Sequence, residues 1–209
     1  MILVIGGTKG LGKIFAWQTD CDVVGRDICD ITDFDATRLY LQTVVAEKGK
    51  LSGLVFFQRF RGTGDSWSGE LKLLSGMHNL IEYVVEHRFY KPGFSIVMVS
   101  SVADSYVATE QPLSYHIAKA GMAAMMRFYA VKLAPIRVNC VSPAAVLKDK
   151  IQTHDFNRLD EAIPMGVMGA QQGMVETINF LLNTSYLTGQ NIVVDGGLTL
   201  RSHESLVRS

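Results

Sequence analysis

The sequence has no surplus of charge of either sign. Lys plus Arg is 20 and Asp plus Glu is 20 over 209 residues, a net charge of zero. Such a chain projects no global field toward nucleic acid or an anionic membrane, and it carries no RNA- or DNA-binding motif. Zero net charge also lowers solubility, so burial of surface in an oligomer is expected. Cysteine is scarce. Cys21, Cys29 and Cys140 fall at no metal-ligand spacing, so no metal site is expected. An odd number of cysteines without a leader reads as reduced thiols in a cytoplasmic protein. No apolar run approaches the length of a membrane span. Charged residues amount to 19% against 48% apolar, the reverse of a disordered chain. The length suits one domain, 1–209, with a sizeable core.

What is present is an alternation of short apolar runs with helical patterns. "ILVI" (2–5), "CDVVG" (21–25), "ICDI" (28–31), "GLVFF" (53–57), "SIVMVS" (95–100), "IRVNCVS" (136–142) and "NIVVDGG" (191–197) read as strands. Helices are predicted over about 33–47, 71–87, 115–133 and 173–182, with a brief one after residue 12. Continuous apolar strands alternating with helices predict an α/β fold, a doubly wound parallel sheet of the Rossmann type, covered on both faces. Its ligand crevice lies at the carboxyl ends of the strands.

Four features occupy that end. "VIGGTKGLG" follows a strand and opens a helix, with Gly6, Gly10 and Gly12 spaced G-x-x-x-G-x-G. Missing side chains allow a sharp turn, and let a pyrophosphate approach free N–H groups at a helix N-terminus. The same glycines could serve the turn alone. "SSVADS" puts Ser101 at the end of an apolar strand. Tyr115 and Lys119, in "YHIAK", are four apart and share a helix face. "LTGQNIVVDGG" closes the series. The glycine turn, strand-end Ser, Tyr-x-x-x-Lys, "RVNCVSP" and "VDGG", in this order and spacing, resemble the short-chain dehydrogenase/reductase family over nearly the whole chain.

The resemblance implies an NADP(H)-dependent oxidoreductase acting reversibly on a small ketone or aldehyde. Ser101, Tyr115 and Lys119 would be catalytic. Tyr115 is the general acid/base, Ser101 holds the substrate oxygen, and Lys119 holds the nicotinamide ribose and draws the Tyr115 pKa down. The cofactor would contact Gly6, Thr8, Lys9, Gly10, Leu11, Gly12, Arg26, Asp30, Ile31, Tyr115, Lys119 and Pro143. In "VVGRD" the place for an NAD-type carboxylate holds Gly25, and Arg26 follows. With Lys9 in the glycine loop, two cations suit a 2′-phosphate, so NADP(H) is favoured over NAD(H). Asp27 is the counter-argument, being near enough to reach a ribose diol. Asp30 is expected against the adenine amino group.

The sequence also departs from the family. No helix fits between Arg26 and "CDITD", which trims the adenine side. The usual Asn-Asn-Ala-Gly turn after the strand at 53–57 is replaced by "FFQRFRG", where Arg59 or Arg61 is a candidate for an anionic substrate or cofactor group. The family's active-site asparagine is absent, its place falling at Leu73. A substrate lid is expected over about 145–165, in which His154 reads as solvated. Met122, Met125 and Met126 read as packing or an oligomer seam, and the resemblance implies a homodimer or homotetramer paired through this helix and its predecessor. Two other readings stay open: a non-catalytic dinucleotide-binding or regulatory protein on the same fold, and a dehydratase or epimerase.

Overall fold

In a computed structural model, residues 1–60, 62, 65–108, 111–144, 163–166 and 171–200 are described. Their order is β1 (Ile2–Ile5), α1 (Gly10–Gln18), β2 (Cys21–Val24), α2 (Phe34–Lys48), β3 (Leu51–Phe56), α3 (Trp67–Glu86), β4 (Tyr90–Val99), α4 (Leu113–Lys132), β5 (Arg137–Pro143), α5 (Gln171–Asn183) and β6 (Asn191–Val194). Short 3-10 turns follow β4 (Val102–Asp104) and β6 (Leu198–Leu200). The strands form one six-stranded sheet in the order β2-β1-β3-β4-β5-β6, and each neighbouring pair is parallel.

Alternate residues of each strand feed two cores, as a pleat requires. Leu3, Ile5, Leu54, Phe56, Ile96, Met98, Val138 and Cys140 meet α2, α3 and α4. Val4, Val55, Val97, Val99 and Val141 meet α1 and α5 through Phe15, Met174 and Ile178. The sheet is therefore wound on both faces. Met122 and Met126 are buried in the first core with Met125 against it, so these methionines are packing.

Local chemistry sets the helix ends. Asp33 Oδ1 accepts from Ala36 N–H at 3.0 Å and caps α2. Ser66 caps α3 through Gly69 N–H, which starts this helix at Trp67 rather than 71. Asp65 Oδ1 accepts from Ser114 N–H at 3.1 Å in the first turn of α4, which starts at Leu113 rather than 115. At the other end of α5, the Arg137 guanidinium donates to the carbonyls of Leu181 (2.6 Å) and Leu182 (2.8 Å).

One expected strand does not form. Residues 28–31 are turns, with the N–H groups of Ile28 and Cys29 both bonded to Gly25 O. The turn at Gly25 carries "ICDI" off the open edge of β2 toward α2, so it does not extend the sheet. Cys29 and Ile31 are buried against the α2–α3 side without being in a strand. The close fit is visible at Gly76 of α3, where a Cβ would lie 2.4 Å from Ile31 O. α1 is brief, as expected, and the chain between Arg26 and α2 contains only turns.

Candidate active site

The sheet order reverses direction at β1, so the crevice lies where β1 and β3 end. Gly6 (φ +83°) turns the chain out of β1, with its N–H on Val24 O at 2.8 Å. A Cβ on Gly12 would lie 2.7 Å from Gly6 O and 2.8 Å from Gly7 Cα. This glycine lets α1 start directly against the turn. Gly10 (φ +55°) faces open space. No side chain caps the N-terminus of α1, and its first turn holds no acid. Uncapped N–H groups at a glycine turn, with Thr8 and Lys9 exposed beside them, fit the pyrophosphate of a dinucleotide.

At the adenine end, Arg26 and Asp30 form an ion pair (Nε to Oδ2, 3.3 Å). The Asp30 Oδ1 also accepts from the N–H and hydroxyl of Thr32. Asp27 and Thr8 converge over Gly25, where a Cβ would lie 2.6 Å from each side chain. The Ile31 side chain is in the core, which leaves only its backbone for the crevice. Leu11 is half-buried in the first turn of α1, and Pro143 ends β5.

Ser101 follows β4 directly. Its Oγ accepts from Ala103 N–H at 3.2 Å and so starts the 3-10 turn. That turn is fixed by Asp104, whose carboxylate accepts from Ser105 Oγ (2.7 Å), Ser142 Oγ (2.6 Å) and Asn191 Nδ2 (2.8 Å). The ends of β5 and β6 are thereby tied to the serine. Tyr115 is in the first turn of α4, with the Ser101 side chain in hydrogen-bond reach of its phenol. The His116 ring is oriented by Ala108 N–H, which donates to its Nε2 at 3.0 Å, and by Pro112 O, 3.0 Å from its Nδ1. Lys119, one turn on, is 4% exposed. Its Nζ donates to Val99 O at 3.2 Å and lies 5.6 Å from the Tyr115 ring centroid. The structure thus brings Ser101, Tyr115 and Lys119 together.

The electrostatics differ from the sequence expectation at one point. Burial pushes the Tyr115 pKa above its ordinary value; the Ser101 hydrogen bond and Arg59 oppose the rise, and Glu70 adds to it. The Lys119 ammonium donates to the Val99 carbonyl rather than to the phenol. Burial also lowers the pKa of Lys119 itself to about 8, against the counter-charge of Glu70.

The stretch after β3 runs close over the glycine turn. A Cβ on Gly6 would meet Gln58 Cγ at 3.2 Å, and Phe57 packs on Phe15 at 5.5 Å. Arg59 is exposed and acts electrostatically on Glu70, Tyr115 and Lys119, so its charge reaches the crevice. Arg61 lies outside the described residues. So does most of the expected lid, His154 included; of that segment Ile163 is buried and Met165 N–H bonds Gly196 O. Leu73 is buried beside Lys119, and it brings no polar group there. Two polar residues in the site were not singled out from sequence, Gln58 and Glu70. The available signal was that Glu70 stands three positions before Leu73, on the same helix face. Among the described residues no three His, Cys, Asp or Glu gather as a metal site, and no helix is long and apolar enough to cross a membrane.

Comparison with known proteins bears on this geometry. The family model described as enoyl-(acyl carrier protein) reductase matches residues 15–199. The chain belongs to the short-chain dehydrogenase/reductase family, oxidoreductases that bind a nicotinamide dinucleotide. It is 30% identical to the 3-oxoacyl-[acyl-carrier-protein] reductase FabG of Thermotoga maritima, covering 95% of this chain and 97% of that one. That alignment extends over 240 residues, more than the 209 of this short-chain dehydrogenase/reductase, so it is opened by gaps. Identity to the D-arabinitol 2-dehydrogenase [ribulose-forming] of Candida albicans is 27%, over 90% of this chain and 71% of that one. Among solved structures, a protein from Burkholderia xenovorans described as a short-chain dehydrogenase/reductase is 26% identical with a TM-score of 0.84, covering 96% of both chains.

Proposed function

We propose that this short-chain dehydrogenase/reductase is NADP(H)-dependent and reduces a small ketone or aldehyde to an alcohol, reversibly. The observation that carries the reading is the meeting of Ser101, Tyr115 and Lys119 at the end of β4, beside an uncapped helix N-terminus. When bound, the nicotinamide supplies the hydride in reduction and takes it up in oxidation. The chain's residues manage the proton. Tyr115, held protonated at neutral pH by burial, gives its phenolic proton to the carbonyl oxygen as that oxygen gains charge. The Ser101 oxygen already accepts from Ala103, which leaves its hydroxyl proton to donate to the same substrate oxygen. Lys119, below its pKa of about 8, supplies a fixed cation behind the tyrosine. Lys9 and Arg26 support a 2′-phosphate, since both are exposed cations at the ends of β1 and β2. Arg59 is the candidate for an anionic group on the substrate, as is Arg61.

A second cofactor reading has its own observation. The Asp27 carboxylate folds over Gly25 toward Thr8, where a ribose diol would be accepted, and this favours NAD(H). Parallel titration with NADPH and NADH, followed by nicotinamide fluorescence, separates the two. Tighter NADPH binding, weakened roughly tenfold or more in Arg26→Ala, is expected for loss of a charge-assisted contact. Tighter NADH binding, weakened by Asp27→Ala, would reverse the assignment. A carbonyl panel with NADPH should give turnover that Tyr115→Phe removes without loss of dinucleotide binding. Binding without turnover on any carbonyl would instead make this a dinucleotide-binding protein.

A further inference from the structure

Glu70 is the only carboxylate among the buried polar residues described, at 7% exposed. It sits in the first turn of α3 and faces α4 across a small cavity. Gln58, Glu70 and Lys119 supply polar walls of that cavity, and Leu73, Met77 and Met122 supply apolar ones. About 10 Å³ is open to the centre of a water, the space of a single molecule. Glu70's carboxylate forms no hydrogen bond or ion pair among the described residues. The Gln58 Oε1 at the same cavity is buried without a partner. A buried carboxylate at the N-terminal turn of an ordinary helix would simply rotate into solvent. This one stays at the cavity, where the buried ammonium of Lys119 is its largest compensating charge, ahead of Arg59.

We propose that Glu70 is a positioning residue of the active site, whose carboxylate holds Lys119 in its charged form across this cavity. The proposal rests on the reading of Lys119 as the cation behind Tyr115, and it assigns that cation its counter-charge. The groups that face Lys119 are known from each packed element. Glu70 on α3, Asp104 in the turn after β4 and Cys140 on β5 favour its proton, and Arg59 after β3 opposes it. Glu70 comes first among those that favour it. The reverse holds as well: burial pushes the Glu70 carboxyl up, and Lys119 before Arg59 pulls it back. An ammonium this buried, without Glu70 and with only Asp104 and Cys140 set against Arg59, would give up its proton at a lower pH. The tyrosine would then have no cation behind it.

The test reads the lysine directly. The ¹³Cε resonance of Lys119, assigned by its loss in Lys119→Met, is titrated in the wild type, Glu70→Gln and Glu70→Asp. The Lys119 midpoint should fall by about one pH unit or more in Glu70→Gln, a tenfold loss of proton affinity, and recover at least in part in Glu70→Asp. The alkaline limb of the pH–rate profile for NADPH-dependent carbonyl reduction should move down with it, while NADPH affinity at pH 6 stays within twofold. Coupling between two sites is reciprocal, so the Glu70 ¹³Cδ midpoint should rise in Lys119→Met by the amount that Lys119's falls in Glu70→Gln. This second arm uses the native carboxylate and serves if Glu70→Gln does not fold. A Lys119 midpoint unchanged in Glu70→Gln, or a Glu70 midpoint unchanged in Lys119→Met, overturns the proposal. Because neither titration needs turnover, absence of carbonyl reduction would remove the oxidoreductase reading and leave this charge coupling standing.

Discussion

At the scale of single residues, Lys119 sets a measurable cost. Its side chain is buried, with one carbonyl partner at Val99 and no carboxylate in direct contact. Folding lowers its pKa from near 10.5 to about 8. Below pH 8 both folded and unfolded chains carry the proton, and the full penalty of burying charge is present. Between pH 8 and 10.5 the unfolded chain binds more protons, so stability rises with pH over that window. The shift corresponds to about 3 kcal/mol. Lys119→Met should therefore be stabilised relative to wild type most strongly below pH 8, and the gap should close toward pH 10.5 in urea unfolding followed by circular dichroism. A gap that stays flat across that window would show that Lys119 titrates normally in the folded protein. This same residue marks what sequence could and could not show. The four-residue spacing placed Tyr115 and Lys119 on one face correctly. It held no information on where Nζ points, and so the expected depression of the Tyr115 pKa is replaced by a rise. Glu70 was illegible for a related reason: a carboxylate near the start of an amphipathic helix is ordinarily solvated, and only the cavity beside Met77 and Met122 shows otherwise.

At the scale of elements, the strands were the most readable part. β1, most of β3 and the second half of β4 are buried on both faces and appear as nearly unbroken apolar runs, while β5 is as buried but carries Arg137, Asn139 and Ser142. "ICDI" is also mostly apolar and forms turns, because the chain bends at Gly25 and buries Cys29 and Ile31 in the core rather than laying them along β2. The start of α1 carries its own prediction. Gly12→Ala forces a methyl within 2.8 Å of the Gly6 and Gly7 backbone, and should cost roughly 1–3 kcal/mol through the shift of α1 from β1. Gly10→Ala meets nothing within 4 Å and should cost only the left-handed backbone, about 1–2 kcal/mol. Thermal unfolding should rank Gly12→Ala the less stable. Dinucleotide titration should show Gly10→Ala weakened beyond what its stability loss explains, since its methyl stands in the open mouth of the turn. Equal affinities for wild type and Gly10→Ala would remove this turn from the binding site.

At the scale of the whole molecule, α3 and α4 leave an apolar face uncovered. Trp67 and Leu71 on α3, and Leu113, Ile117, Phe128 and Val131 on α4, are exposed, with Val131 at 82%. On each helix their spacing follows the turn of the helix, so they form stripes rather than scattered points. A neutral surface does little to keep such stripes apart. Light scattering should give a mass at least twice the 23.0 kDa of the chain, and Phe128→Glu with Val131→Glu should reduce it to that value with the fold retained. A wild-type chain that is already monomeric at tens of micromolar would show that these stripes do not pair. An oligomer was expected from net charge and from the family resemblance, which pointed to this pair of helices; which of their apolar residues stand uncovered became visible only once both helices were placed.

The shortness of the segment between β2 and α2 has an outcome unrelated to chemistry. With no strand beyond it, β2 offers an open row of backbone donors and acceptors, the kind of border onto which a second extended chain can be added. The border is four residues long, and Asp22 in its middle is held by Lys48 from the end of α2. A stacking partner would have to part that ion pair and bury a carboxylate. The short connection after β2 therefore comes with a guard against self-templated fibre growth at the same edge.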